Sequence, residues 1–238
     1  MNPGKTLKAY LDLSRVSNLP TVWTNVLAGS LLAAGGFPGA VYLLLAVSLS
    51  CFYLAGMALN DLCDLEHDRV GRPTRPLPSG RVSLRGARTF TLLLFGVGFL
   101  LLALAPYSGG EWVAILLLAA IVAYDRHHKK NPFSVFLMAA CRFLVFAVAA
   151  LGAAGRFPAT VVLAGCSQFC YIVVLSLVAR HENSRARPFP FPVLPVMLAG
   201  ISLLDGILLA VLAGPAWLAA GVGGFLLTLA GQKYVRGD

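Results

Sequence analysis

Charge is what this chain has least of. Asp, Glu, Lys and Arg together make up 12% of its 238 residues, where a soluble domain carries about 25%. So little polar surface cannot coat a globule of this size, and 58% of the residues are apolar, with a mean hydropathy of +0.79. Intrinsic disorder and a soluble α/β enzyme are thereby excluded. The five cysteines are odd in number and lie mostly inside apolar runs, which excludes a disulfide scaffold and a zinc framework. They read as small core residues of a reduced membrane protein. Low-complexity segments and clean internal repeats are missing too. The start of the chain lacks a short apolar stretch followed by a small-residue cleavage site, so the first apolar run is expected to be retained.

What the chain has is long apolar runs, at roughly 17–35, 40–60, 89–106, 111–124, 133–153, 158–178, 193–213 and 215–231. A helix needs about 20 residues to cross a bilayer. Eight crossings put both termini and the segments after runs two, four and six on one side. Of the 19 Lys and Arg residues, all but Arg142 and Arg156 fall there, and the positive-inside rule makes that side cytoplasmic. The formal net charge of +9 is therefore topological, and no nucleic-acid partner is expected. The outer connections are tight, as at Gly35-Gly36-Phe37-Pro38 and Gly214-Pro215, while the longest loops, after runs two and six, are cytoplasmic. Long loops in a compact bundle usually carry function. The expectation is an all-α membrane protein, one domain over 1–238, of about eight transmembrane helices with a cytoplasm-facing cavity.

Ten residues are acidic, and Asp61, Asp64, Glu66 and Asp68 sit together where run two leaves the membrane. At about 100° per residue, Asn60, Asp61, Asp64 and Asp68 share one face and Glu66 points away. Two carboxylates about 6 Å apart repel by roughly 3 kcal/mol at an effective dielectric of 20, so the face calls for cations. An all-oxygen donor set suits Mg²⁺. The segment Arg72-Pro73-Thr74-Arg75-Pro76-Leu77-Pro78-Ser79-Gly80 follows directly; guanidinium groups are suited to bidentate phosphate recognition, and prolines restrict the loop. The competing reading is a solvated helix end whose acids pair with Arg69, Arg72 and Arg75.

These residues resemble the UbiA family of integral-membrane prenyltransferases. Asn60, Asp61, Asp64 and Asp68 match its Asn-Asp-x-x-Asp-x-x-x-Asp motif, Arg75 to Gly80 match Arg-Pro-Leu-Pro-Ser-Gly, and Arg15, Asn18 and Gly29 keep its spacing in the first run. The resemblance implies that Asn60, Asp61, Asp64 and Asp68 hold Mg²⁺ bound to a prenyl diphosphate, that Arg75 contacts the diphosphate, and that an acceptor captures the allylic cation. Tyr124 and the basic residues Lys129 and Lys130 stand where the family has a Tyr followed by phosphate-binding residues. The family's second motif, Asp-x-x-x-Asp, is replaced by Ala179-Arg180-His181-Glu182-Asn183-Ser184-Arg185-Ala186-Arg187. Glu182 retains one carboxylate for a metal, and Arg187 is a candidate for the missing charge. Eight runs where the family usually has nine, with Ala-Arg-His-Glu after run six, resemble the EboC-like subgroup.

Asn18, Thr21 and Asn25 share a helix face and are expected to line the active cavity, Asn18 and Asn25 as substrate contacts, with interhelical hydrogen bonding as the alternative. Arg142, in mid-membrane, requires a partner, with Asp205 or a bound diphosphate as candidates. Gln168 and Tyr171 are expected in core packing. The resulting functional expectation is a Mg²⁺-dependent prenyltransferase of the inner membrane, joining a prenyl diphosphate to an unidentified acceptor. A non-catalytic lipid-diphosphate-binding or export component and a terpene cyclase are the alternatives.

Overall fold

The computed structural model describes residues 3–127, 131, 133–184 and 191–235. Among them every regular element is helical. The eight apolar runs become eight long helices: α2 (Leu19–Ala34), α3 (Ala40–Cys63), α5 (Leu84–Leu102), α6 (Gly110–His127), α7 (Ser134–Ala154), α8 (Ala159–Ser184), α9 (Val193–Leu212) and α10 (Leu218–Gln232). Five of them, α3, α5, α7, α8 and α9, are long and apolar enough to cross a membrane on those criteria alone. α2 and α10 have 16 and 15 residues, about 24 and 22 Å at 1.5 Å per residue. α6 carries Glu111, Asp125 and Arg126 near its ends.

Two further helices were not legible as apolar runs. α1 (Pro3–Leu13) is amphipathic: Ala9 and Leu13 are buried against Ala58, Leu77, Val82 and Ala87, while Leu7 and Lys8 face outward. α4 (Leu65–Gly71) continues α3 almost without a break. Asp64, between them, keeps right-handed helical dihedrals, and the amides of Asp64 and Asp68 bond to the carbonyls of Asn60 and Asp64 at 2.9 Å. Helical phase therefore runs through the junction, which keeps the acidic face aligned.

The bundle packs around α7, which contacts α2, α3, α6 and α8, while α3 pairs with α5 and α9 with α10. Small residues set the closest approaches. A Cβ on Gly29 would meet the Phe146 carbonyl oxygen on α7 at 2.8 Å, and one on Gly206 would meet the Gly221 Cα at 2.6 Å. Without a hydrophobic drive between helices in lipid, such backbone proximity supplies the packing energy. Arg156, on the side with almost no basic residues, donates from Nε to the Ala33 carbonyl at 2.6 Å, satisfying the C-terminus of α2.

The cysteines depart from the expected core placement: Cys51 is buried, but Cys63, Cys166 and Cys170 are exposed. Cys166 and Cys170 are four apart on α8 and so share a face, a placement that tolerates thiols because they act as small apolar groups.

The α9–α10 contact sets a test. Gly221→Leu should lower the thermal stability of the purified protein by about 1–3 kcal/mol or prevent its folding, because the new side chain must displace backbone. Gly223→Ala, with nothing within 4 Å of the added Cβ, should leave stability unchanged or slightly raised; thermal unfolding in detergent measures both.

Candidate active site

The acidic face is buried: relative exposures are 3% for Asp61, 8% for Asp64 and 2% for Asp68. Charges so placed require partners, and two guanidinium groups supply them. Arg75 Nη1 lies 2.6 Å from Asp68 Oδ2 and 3.4 Å from Asp61 Oδ1, and Arg15 Nη2 lies 3.0 Å from the same Asp61 oxygen. Arg15 takes the left-handed conformation (φ 48°, ψ 48°), alone among described non-glycine residues. That geometry costs about 1–2 kcal/mol, and it turns the chain between α1 and α2 while the guanidinium reaches α3. Glu66 points away and pairs with Arg69 on the surface at 2.7 Å. The solvated-end reading thus describes Glu66, and its pairing with Arg75 holds for Asp61 and Asp68, but the three aspartates are buried rather than solvated.

Asn60 is turned elsewhere, donating from Nδ2 to Asp125 Oδ1 on α6 at 3.0 Å. Tyr124, the neighbour of Asp125, lies within electrostatic range of Asp64, Arg15 and Arg180. The C-terminal ends of α3, α6 and α8 thus converge. Arg180 donates from Nη2 to Ser134 Oγ at 2.8 Å, fastening the end of α8 to the start of α7. Glu182 is half-buried in the last turn of α8. Lys129, Lys130 and Arg187 lie outside the described residues.

Two hollows lie on either side of the Arg15–Met57 contact. One, of about 590 Å³, is polar and is walled by Lys8, Asp12, Arg15, Asp61, Arg72, Arg75 and Arg81. The second, of about 120 Å³, is apolar and runs into the bundle between Gly56, Met57, Ile121, Tyr124 and Asp125 at one end and Leu49, Leu117, Val145 and Ile201 deeper in. Met57 lines the apolar hollow and accepts from Arg15 Nη1 at 3.4 Å, while Asp61, one turn along α3, lines the polar one.

Asn18 and Asn25 line neither hollow, a correction to the sequence reading. Asn25 is fully buried between helices: it accepts from Arg142 Nη1 at 2.7 Å and donates to Asp205 Oδ2 at 2.7 Å. Thr21 Oγ1 accepts from Arg142 Nη2, and Gln168 Nε2 donates to Asp205 Oδ1 at 2.7 Å. The expected Arg142–Asp205 pairing is therefore relayed through Asn25, which holds Arg142 on the apolar wall over the Tyr53 ring. Asn18 accepts from Gln232 Nε2 at 3.2 Å, joining α10 to the turn before α2. Polar groups at membrane depth turn inward and pair, and here pairing took precedence over cavity lining. Tyr171 donates to the Met197 carbonyl at 2.8 Å, in keeping with a packing role.

The residues present fit a hard divalent cation in part. Asp61 and Asp68 converge on one cationic point, now the Arg75 guanidinium, and offer only oxygen donors. Among the described residues no three carboxylate, imidazole or thiol side chains form a ready metal cluster, and Asn60 faces α6 instead. Sequence reasoning missed Arg15 as a partner of Asp61 and Asp125 as the partner of Asn60. The Arg-x-x-Asn spacing marked Arg15, but its partner lies 46 residues away.

The sequence profile of the UbiA prenyltransferase family matches residues 22–234. A digeranylgeranylglyceryl phosphate synthase of Sulfolobus acidocaldarius is 32% identical over 128 residues, covering 52% of this chain and 45% of that protein. The chain spans about half the length of the curated relatives it matches. In fold, it is similar to a solved digeranylgeranylglyceryl phosphate synthase (TM-score 0.66, 22% identity, 96% of this chain and 87% of the other). It is also similar to a UbiA homologue from Archaeoglobus fulgidus bound to DMAPP and Mg²⁺ (TM-score 0.61, 17% identity, 91% and 85%).

The relay through Asn25 makes a stability prediction. Asp205→Leu, which strands Arg142 in the bundle, should cost about 3–5 kcal/mol, and Arg142→Met added to it should recover much of that loss. Thermal unfolding of the single and double variants in detergent measures the recovery.

Proposed function

The chain belongs to the UbiA prenyltransferase family, and on that premise we propose that it is a Mg²⁺-dependent intramembrane prenyltransferase, drawing on a polyisoprenyl diphosphate and an acceptor still to be identified. The observation that carries this reading is the closeness of the two hollows: Asp61 and Arg15 line the polar one, and Met57, one turn from Asp61 and in contact with Arg15, lines the apolar one. A prenyl diphosphate has the same division, an anionic head on a hydrocarbon tail. The relatives' name, digeranylgeranylglyceryl phosphate synthase, and the DMAPP and Mg²⁺ of the Archaeoglobus homologue support an isoprenoid donor.

Asp61, Asp64 and Asp68 are assigned to the metal, with Asn60 and Glu182 at its periphery. When bound, Mg²⁺ would neutralise charge on the departing diphosphate. Arg75 and Arg72 bind the diphosphate oxygens, and they are preorganised for it because the proline-rich segment is folded rather than loose. Within it Ser79 and Arg75 are joined by an amide–carbonyl bond of 3.0 Å, and Leu77 and Val82 are buried anchors. Such fixed donors stabilise developing charge without reorganising. Lys129, Lys130 and Arg187 are assigned to the same phosphate oxygens on the resemblance alone.

The apolar hollow, lined by Phe52, Tyr53, Leu117 and Ile172, receives the first part of the prenyl chain, and Tyr124 closes its mouth. Lipid tails are as apolar as these side chains, so moving a prenyl tail from bilayer to hollow contributes little. Affinity rests on the head. The same hollow excludes water from the allylic centre, which favours capture by the acceptor over hydrolysis. The predominance of basic residues at the end bearing Arg72, Arg75 and Arg180 supports an inner-membrane protein with both termini in the cytoplasm.

Purified protein given geranylgeranyl diphosphate and Mg²⁺, with a cellular lipid extract as acceptor source, should release pyrophosphate and form a prenylated lipid. The Asp61→Asn, Asp64→Asn double variant should lose about 100-fold or more of that rate; because Asp61 also partners the buried Arg15 and Arg75, the variant should lose stability as well, and thermal unfolding checks that the protein assayed is still folded. Diphosphate binding without release would replace the reading with a lipid-diphosphate-binding component, and a cyclised hydrocarbon product would replace it with a terpene cyclase.

A further inference from the structure

The apolar hollow is short, and its inner end is closed. Its lining runs along α3 from Met57 to Leu49 and along α6 from Asp125 to Leu117, a depth of about 12 Å at 1.5 Å per residue. At the deep end Leu49, Leu117 and Val145 are 1%, 2% and 9% exposed, and they belong to one packed apolar core with Ala46, Ala114 and Ala149. Those alanines lie one turn further along α3, α6 and α7 on the same helix faces. Three large side chains standing over three small ones thus form the floor.

The two ends differ in how far they can yield. Met57 and Met138, both half-buried, line the hollow nearer its mouth, and unbranched thioether side chains adapt readily to a ligand. The floor cannot move without parting α3, α6 and α7, and a packed core resists added volume. The side wall is fixed as well. Arg142 lies on it, and its guanidinium is held by Asn25 at 2.7 Å and Thr21 at 3.0 Å.

Volume then limits the occupant. The hollow measures about 120 Å³, and an apolar cavity of about 150 Å³ takes up a single benzene molecule. One five-carbon isoprene unit is of that size. The hollow therefore holds one unit as it stands, and movement of the two methionines makes room for a second. We propose that Leu49, Leu117 and Val145 set the length of the prenyl donor, and that the protein selects a short one, of five or ten carbons, over a chain of twenty. This inference narrows the donor of the prenyltransferase reading and rests on it.

The test uses the full chain in detergent with Mg²⁺ and a cellular lipid extract, given dimethylallyl, geranyl, farnesyl or geranylgeranyl diphosphate. The kcat/KM for pyrophosphate release should be highest for one of the two shortest donors and about tenfold or more lower for geranylgeranyl diphosphate. Leu117→Ala, which opens the floor towards Ala114, should raise the ratio of geranylgeranyl to geranyl turnover by about tenfold. Because truncating a buried leucine destabilises a core, Leu117→Val serves as the milder variant and should shift the ratio the same way by less. Thermal unfolding checks that each protein assayed is folded. Non-hydrolysable analogues of the four donors, which need no acceptor, should bind the wild-type protein in the same order. A kcat/KM that is level or rises with chain length would overturn the proposal, as would an unchanged ratio in folded Leu117→Ala. Absence of pyrophosphate release with all four donors would count against the prenyltransferase reading instead, and the order of analogue affinities would still decide whether the floor selects length.

Discussion

Everything at the end of this bundle where α3 runs into α4 depends on keeping negative charge where water is scarce. Asp61 and Asp68 lie at 3% and 2% exposure, at the point where a membrane-crossing helix becomes a short interfacial one. Isolated carboxylates there would be costly by several kcal/mol each. The guanidinium groups of Arg15 and Arg75 make the arrangement tolerable, and in doing so they fix three separate parts of the chain. The turn between α1 and α2, the end of α3 and the proline-rich segment meet through one oxygen of Asp61. A site of this kind is held ready for a cation without having collapsed on itself, because the two cations present are side chains that also suit phosphate.

One of these guanidinium groups also stands between the two hollows. Arg15 touches Met57 with one nitrogen and Asp61 with the other, so a single side chain marks the border between polar and apolar space. Deeper in the bundle a second polar relay, Arg142 to Asn25 to Asp205 to Gln168, ties α7, α2, α9 and α8 together. Its charged groups are paired within the bundle, while Gln168 Oε1 is left without a hydrogen-bond partner, and the Arg142 stem and Tyr53 form cavity wall. One polar system borders the polar hollow, and the charges of the other are paired inside the bundle. Burial alone does not separate them; the difference lies in whether charge faces a hollow of substantial volume.

Much of this was legible in the sequence, and the exceptions share a cause. The apolar runs marked all eight long helices because crossing lipid demands continuous apolarity. The acidic face was legible because helical periodicity is local, and it survived the junction at Asp64 because the hydrogen bonds continue through it. α1 was missed: an interfacial helix needs only a narrow apolar stripe, here Ala9 and Leu13, which does not register as a run. Asn25 was placed on the cavity wall because its spacing with Thr21 is real, but Asp205, its partner 180 residues away, decides which way the amide turns. Arg15 to Asp61, Asn60 to Asp125 and Arg81 to Asp12 are likewise long-range pairings. Local spacing gives candidate groups; only the packed bundle says which of them satisfy one another.

The central claim, that the α3 carboxylate face gathers a divalent cation for a prenyl diphosphate, is tested most directly by paramagnetic resonance with Mn²⁺ in place of Mg²⁺. Immobilised Mn²⁺ should appear when a non-hydrolysable geranylgeranyl diphosphate analogue is added to the wild-type protein, and it should be lost from an Asp61→Asn, Asp68→Asn variant that remains folded. Immobilised Mn²⁺ of equal amount in both proteins, or in neither, would contradict the account.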